Sequence, residues 1–310
     1  MTQTISDNSA MPFKIEGLDV QGRIVRLGGE IDTILSRHDY PEPVAQLLAQ
    51  AMVLTVMLGS SLKFDGRFVV QTQSDGPVPM LICDMQTSGE IRAYAKIDQD
   101  KLSMYGKNPS QHILMGRGHI AFTVDQGADM ENYQGVVPLE GSLSDAAHMY
   151  FEQSEQIETR LKLAAEKTEA PNGVAVWRAG GILLQQTAQE GGWRDDLPTI
   201  TTAGAGNCTE DDWRRLTSLL ETTETDELLD PVLGPEMLAF RLFNEDGVRV
   251  FDSINVRFAC NCAQDRIERI IQTFSDEEIH DMLEDGMIKV VCEFCSEQYV
   301  FDPSAFVTLS

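Results

Sequence analysis

The sequence predicts an α+β protein in three parts: an N-terminal mixed α+β core domain, a helical linker, and a small C-terminal four-cysteine zinc domain. Three observations carry that expectation. Strand-like and helix-like stretches mix over residues 13–190 without a regular βαβ rhythm. A break rich in Gly, Thr and Pro at 191–206 leads into an acidic stretch with helical stripes, so 191–247 is expected to be a boundary loop and linker. Four cysteines, Cys260, Cys262, Cys292 and Cys295, stand as two tight pairs within 248–310.

Composition sets the outer limits. The chain has 310 residues, 42% of them apolar, enough for a buried core. Its formal net charge is −25, and from Thr209 onward 23 acidic residues face 8 basic ones. A surface this negative repels phosphate, which argues against nucleic acid and anionic membranes as main partners. Met1 to Asp7 has neither a basic segment nor an apolar run, so no signal peptide is expected and a cytoplasmic location is.

Taken in order, residues 1–12 read as a loose tail and Phe13 to Ile31 as strands broken by glycines. His38-Asp39-Tyr40-Pro41-Glu42-Pro43 stops one element and starts another, since proline suits a first helical turn and bars an interior one. Val44 to Leu62 carries no charge. That length would span a membrane, but Gln46, Gln50, Thr55, Ser60 and Ser61 interrupt it, and a buried helix is the expectation. Strands follow at 68–72 and 80–84 around the turn Asp75-Gly76-Pro77, then at 91–98 and 119–125. A helix is expected from Ser144 to Ser154. Leu161, Leu163 and Ala165 then alternate as a strand, Asn172-Gly173 turns the chain, and 174–177 with 179–185 return.

In the linker, Thr209 caps a helix with Asp212 at its third position. Trp213, Leu216, Leu219 and Leu220 form one stripe, and Leu238, Leu242 and Phe243 another on a helix from Glu236 to Phe243. Such stripes are usually core. Beyond them, 248–251 and 254–258 read as strands leading into the first cysteine pair. Gln264 to Gln272 is expected to be helical. Ser275 and Glu278 form a capping box for a second helix, with Phe274 stapled to Ile279 and Gly286 as its end. Strands at 288–291 and 299–301 flank Cys292-Glu293-Phe294-Cys295.

Paired thiols separated by 29 residues suit a closed tetrahedral site, each pair supplying one edge, and zinc is the metal that prefers four thiolates. A disulfide framework would suit a small secreted domain, and nothing signals secretion. A thioredoxin-type CxxC needs a helix N-terminus beside it, whereas this one runs into Ser296 to Phe301, which reads as turn and strand. Cys83 and Cys208 are given no role. His38, His112, His119, His148 and His280 are scattered, and no phosphate loop, HExxH, GxSxG or strand-bound GxGxxG occurs. ATP use and hydrolysis are not expected. By the residues alone, a zinc-ribbon nucleic-acid binder and a thiol-disulfide oxidoreductase stay as alternatives.

The arrangement of the four cysteines resembles the heat-shock protein 33 family of redox-regulated holdase chaperones. The likeness extends to HDYPEPV (38–44), LKFDGRFVVQTQSDGP (62–77), YQGVVPLEG (133–141), YFEQSEQ (150–156), AGGILLQ (179–185), TDELL (225–229) and CEFCSEQYVFD (292–302). The resemblance implies one Zn2+ per reduced, inactive chain, held by Cys260, Cys262, Cys292 and Cys295. It implies that oxidation forms the disulfides Cys260–Cys262 and Cys292–Cys295 and releases the metal. The activated form, a homodimer, would then hold unfolded or partly unfolded client proteins without ATP. Sequence alone allows three pairings of four cysteines. The client surface is expected on Trp213, Leu216, Leu219, Leu220, Leu238, Leu242 and Phe243, together with the face they cover.

Overall fold

Strand pairing begins earlier than composition suggests. The structure, a computed structural model, describes residues 7–61, 65–127, 132–170, 173–186 and 208–306. Strands β1 (Asn8–Ile15) and β2 (Val20–Leu27) pair antiparallel, and Ala10 and Met11 are fully buried. Residues 8–12 are therefore strand and not tail. Asn-Ser-Ala-Met-Pro is a poor strand former, but β1 is paired on both sides, and tertiary pairing overrides weak β-propensity. Residues 1–6 lie outside the described ones. Helix α1 (Gly29–Ser36) replaces the strand expected to reach Ile31 and buries Ile31, Ile34 and Leu35.

Helix α2 (Glu42–Gly59) starts on the proline-rich motif, with Pro43 in its first turn. Its residues are buried nearly all round because strands of two sheets close over it. That enclosure explains the uncharged run: a window long and apolar enough for a membrane is 78% buried in the fold.

One sheet is built from β3 (Arg67–Ser74), β4 (Met80–Gln86), β5 (Glu90–Lys96), β6 (Gly118–Asp125) and β7 (Tyr133–Pro138), with the short helices α3 (Gln99–Ser103) and α4 (Gln111–Met115) between β5 and β6. Cys83 is fully buried in β4, its thiol pushed up by burial. Helix α5 (Leu143–Tyr150) opens on a Ser142–Asp145 capping box and runs into a π-helical turn, Phe151–Glu155, so the expected helix is present but changes its winding. Strands β8 (Thr159–Glu169) and β9 (Ala175–Gln186) form a long antiparallel pair. Of their turn, Gly173 donates to Ala170 at 2.8 Å with a positive φ of 78°, and Asn172 lies outside the described residues.

The expected break at 191–206 also lies outside the described residues. After it come α6 (Glu210–Glu221), α7 (Thr225–Leu229) and α8 (Pro235–Phe243). Strands β10 (Val248–Val250) and β11 (Ile254–Asn255) then pair with β1, and β12 (Arg257–Phe258) runs parallel to β5. The sequence reading places 248–258 with the cysteines. In the structure these strands belong to the first sheets, since the edges of β1 and β5 offer them partners. The chain divides into Met1–Phe258 and Ala259–Ser310.

The sheet ordered β10-β1-β2-β9-β8 is buried on both faces. One face, through Val25, Leu27, Leu161, Ala165 and Leu183, packs with α2 in the large core. The other, through Met11, Phe13, Ile15, Ile24, Ile182 and Leu184, meets α6, α7 and α8. Opposite faces alternate along each strand, so apolar residues at every position require a cover on each side.

The unit Ala259–Ser310 holds α9 (Gln264–Ile271), α10 (Asp276–Asp281), β13 (Leu283–Glu284), β14 (Met287–Val291) and β15 (Gln298–Phe301). Its apolar core is Ile271, Ile279, Ile288 and Phe301. The Ser275–Glu278 capping box forms as expected. Phe274 remains exposed, while Ile279 is buried. Gly286 does not end α10. With Asp285 it makes the β13–β14 hairpin turn, both residues having positive φ, 52° and 80°.

Candidate metal centre

Two loops bring the four cysteines together. Cys260-Asn261-Cys262 lies just before α9, whose N-cap is Ala263. Cys292 and Cys295 occupy the loop between β14 and β15, which are paired as far as Val291 and Gln298. That loop closes on itself: Cys292 N donates to the Glu297 carbonyl at 2.9 Å and Ser296 N to the Cys292 carbonyl at 2.8 Å. Ser296 adopts a φ of 57°, a left-handed conformation within this turn.

All four Sγ atoms lie within 4.8 Å of one another. Cys260 and Cys292 are 3.6 Å apart at sulfur, Cys262 and Cys295 3.2 Å. A tetrahedral zinc with bonds of about 2.3 Å has sulfur–sulfur edges of roughly 3.8 Å, so these separations fit a single ion held by all four. Among the described residues this is the one group of metal-binding side chains so clustered. Cys295 is buried, 6% exposed, and the other three are half-buried. An oxidant in solvent can therefore reach the cluster.

Tyr299 is the residue that sequence reasoning missed. Its Oη lies 3.3 Å from Cys262 Sγ and 3.4 Å from the Cys262 carbonyl. A tyrosine on a strand is an ordinary core residue, and only the register of β15 turns it toward the other loop. Burial pushes the Cys262 thiol up, but the Tyr299 hydroxyl and the other three thiols outweigh it, bringing Cys262 from 9.0 down to about 7. Burial leads in holding Cys260 and Cys295 above the usual thiol value. The hydrogen bond to Cys262 raises Tyr299 in turn. One thiol thus ionises readily while Cys260 and Cys295 resist ionising, and a bound cation would relieve that resistance. Arg257 and Arg269, close in sequence, are engaged elsewhere, by Glu90 and Asp265.

The expected client residues gather in one place. Leu216, Leu220, Leu238 and Phe243 are fully buried on the outer face of the β10-β1-β2-β9-β8 sheet, with Trp213, Leu219 and Leu242 at the margin of the same cluster. Phe243 stacks on Phe13 of β1 with ring centroids 5.6 Å apart. In this form they are core. Cys208 packs beside them, its thiol raised by burial.

The family model described as Hsp33 protein matches residues 8–302. A 33 kDa chaperonin of Caulobacter vibrioides (strain NA1000 / CB15N) is 45% identical over 304 residues, covering 96% of each chain. A 33 kDa chaperonin of Pseudomonas fluorescens (strain SBW25) is 34% identical over 305 residues, 97% of this chain and 93% of that one. Among solved structures, the crystal structure of the 33 kDa chaperonin (heat shock protein 33 homolog) from Thermotoga maritima aligns with a TM-score of 0.74 at 17% identity, over 96% of both chains. That likeness is one of fold, and it agrees with the mixed α+β architecture described above.

Proposed function

The chain belongs to the Hsp33 family, and on that premise we propose that it is a redox-regulated, ATP-independent holdase, zinc-bound and inactive when reduced. The carrying observation is the cluster of four sulfurs in a unit whose buried apolar core, among the described residues, is four side chains. Zn2+, when bound to Cys260, Cys262, Cys292 and Cys295, would tie the two loops together. A unit of 52 residues (259–310) lies in the size range where metal often replaces missing core.

Oxidation removes the ligands. One peroxide turns a thiolate into a sulfenic acid, which a second thiol attacks to give a disulfide and water; two peroxides convert all four. The pairs implied by the family, Cys260–Cys262 and Cys292–Cys295, each close within one loop. Neither replaces the link between loops, so the unit loses its tie.

We assign the client surface to Trp213, Leu216, Leu219, Leu220, Leu238, Leu242 and Phe243 and to the sheet face beneath them. Residues 191–247 act as the linker that uncovers this surface. Clients are unfolded or partly unfolded proteins, and the activated form is a homodimer in the cytoplasm. The −25 charge speaks against nucleic acid or anionic membrane as partner. The CxxC pair, Cys292 and Cys295, sits in a hairpin loop and not at a helix N-terminus, which speaks against a thioredoxin-type CxxC; it is Cys260 and Cys262 that precede a helix.

The test is zinc content and suppression of client aggregation, measured before and after peroxide at elevated temperature. One zinc per reduced chain, lost as suppression appears, is the expected result. Suppression that appears while zinc stays bound contradicts the reading.

A further inference from the structure

The covered sheet face carries, besides its apolar strip, three cations that the sequence reading passes over. Arg26 on β2 stands directly opposite Gly180 on β9, and Arg178 precedes Gly180 by two, so all three share the face turned to the linker helices. Arg26 is 1% exposed and Arg178 8%. Their partners are main-chain carbonyls at the C-terminal end of α7. Arg26 donates through Nη2 to Glu227 at 2.7 Å and through Nη1 to Asp230, and Arg178 Nε donates to Leu229 at 2.6 Å. Arg178 also pairs with Asp7. On β8, Lys162 donates to Glu221 at 3.0 Å and to Thr223, at the end of α6.

Neither α6 nor α7 has a basic residue in its own last turn. The orphan carbonyls and negative dipole end of each helix are instead satisfied from the sheet. Gly180 makes the approach possible: a Cβ there would lie 2.6 Å from the Leu228 carbonyl oxygen and 3.3 Å from that of Val25.

We propose that Arg26, Gly180 and Arg178, with Lys162, form a seat for helix C-termini that positions residues 209–243 on the sheet and so sets how readily that segment leaves it. The proposal rests on the reading that this segment is released on activation, and it assigns the hold to the sheet itself, apart from the metal. Burial opposes the seat. It pulls Arg26 from 12.5 down to about 10, still charged at neutral pH, and a guanidinium regains hydration when the helices lift away. Strong hydrogen bonds offset by desolvation give a specific but moderate grip, which suits a segment that must dock in one register and still come off.

The experiment compares the full-length, reduced, zinc-loaded chain with Arg178→Met, Gly180→Ala and Arg178→Lys, by hydrogen exchange with mass spectrometry and zinc determination. Met and Ala variants should exchange at least tenfold faster across 209–243, with α2 and residues 259–306 unchanged and zinc retained. Lys, which keeps a donor, should recover part of the protection. Wild-type exchange across 209–243 in both Arg178→Met and Gly180→Ala overturns the proposal, as does equal acceleration in α2, which would mean general loss of stability. Should Arg178→Met not fold, Gly180→Ala carries the test alone. Faster opening with no fall in the peroxide needed for aggregation suppression upholds the seat while removing the client-surface reading.

Discussion

Helix α2 and the cysteine module solve the problem of staying folded in opposite ways. Glu42–Gly59 buries side chains on every side between two sheets, in a core that runs through most of the first unit. Ala259–Ser310 buries Ile271, Ile279, Ile288 and Phe301 and leaves exposed hydrophobics such as Ile270, Val291 and Val300. Apolar burial grows with domain size, and a 52-residue unit (259–310) has little to spend. Coordination can supply what burial does not, and only coordination can be cancelled by an oxidant. On the proposed reading, a switch placed in the poorly buried unit would leave the other one standing.

Removing metal should separate the two most sharply. Structural zinc contributes roughly 10–16 kcal/mol, about the whole stability of ~5–15 kcal/mol for a domain. Chelation of the reduced chain is expected to abolish amide protection across 259–306 and leave α2 protected; equal loss in both would break the contrast. Next in size, Leu48→Ala in α2 should cost about 2–5 kcal/mol and lower the melting temperature without changing zinc stoichiometry. Third, Tyr299→Phe should weaken metal binding about 10–100-fold in competition with a chromophoric chelator, while the first unit melts as before.

The smallest effect concerns a helix cap. Ser142→Ala should cost the first unit about 0.5–2 kcal/mol. Asp145, the other half of that box, is held below its usual value by the Ser142 N–H and hydroxyl. A depressed carboxylate stabilises the fold above its unfolded value of 3.8, and this is lost as pH falls through the lower folded value. Asp145→Asn should therefore show a shallower loss of stability below about pH 4 in acid titration of the melting temperature.

The same contrast explains what could be read from the amino acids. The four cysteines were legible because thiolate spacing encodes a tetrahedron locally, and α2 because an uncharged run bounded by Pro41 and Pro43 has few other fates. The caps at Thr209 and Ser275 are equally local, and both form. What escaped depends on distant partners. Asn8–Pro12 become strand because β11 and β2 flank them, and 248–258 join the first sheets because β1 and β5 have open edges. Tyr299 reaches Cys262 only through strand register. Arg26 and Arg178 belong to no motif, and their role depends on α7 lying across them.

Hydrogen exchange on the intact chain, reduced with zinc and then treated with peroxide at elevated temperature, addresses the central idea most directly. The account predicts that oxidation strips protection from 259–306 and from 209–243 together as zinc leaves, while 42–59 stays slow. If zinc departs and 259–306 remains as protected as before, the metal is not what holds that unit, and the switch proposed for it does not exist.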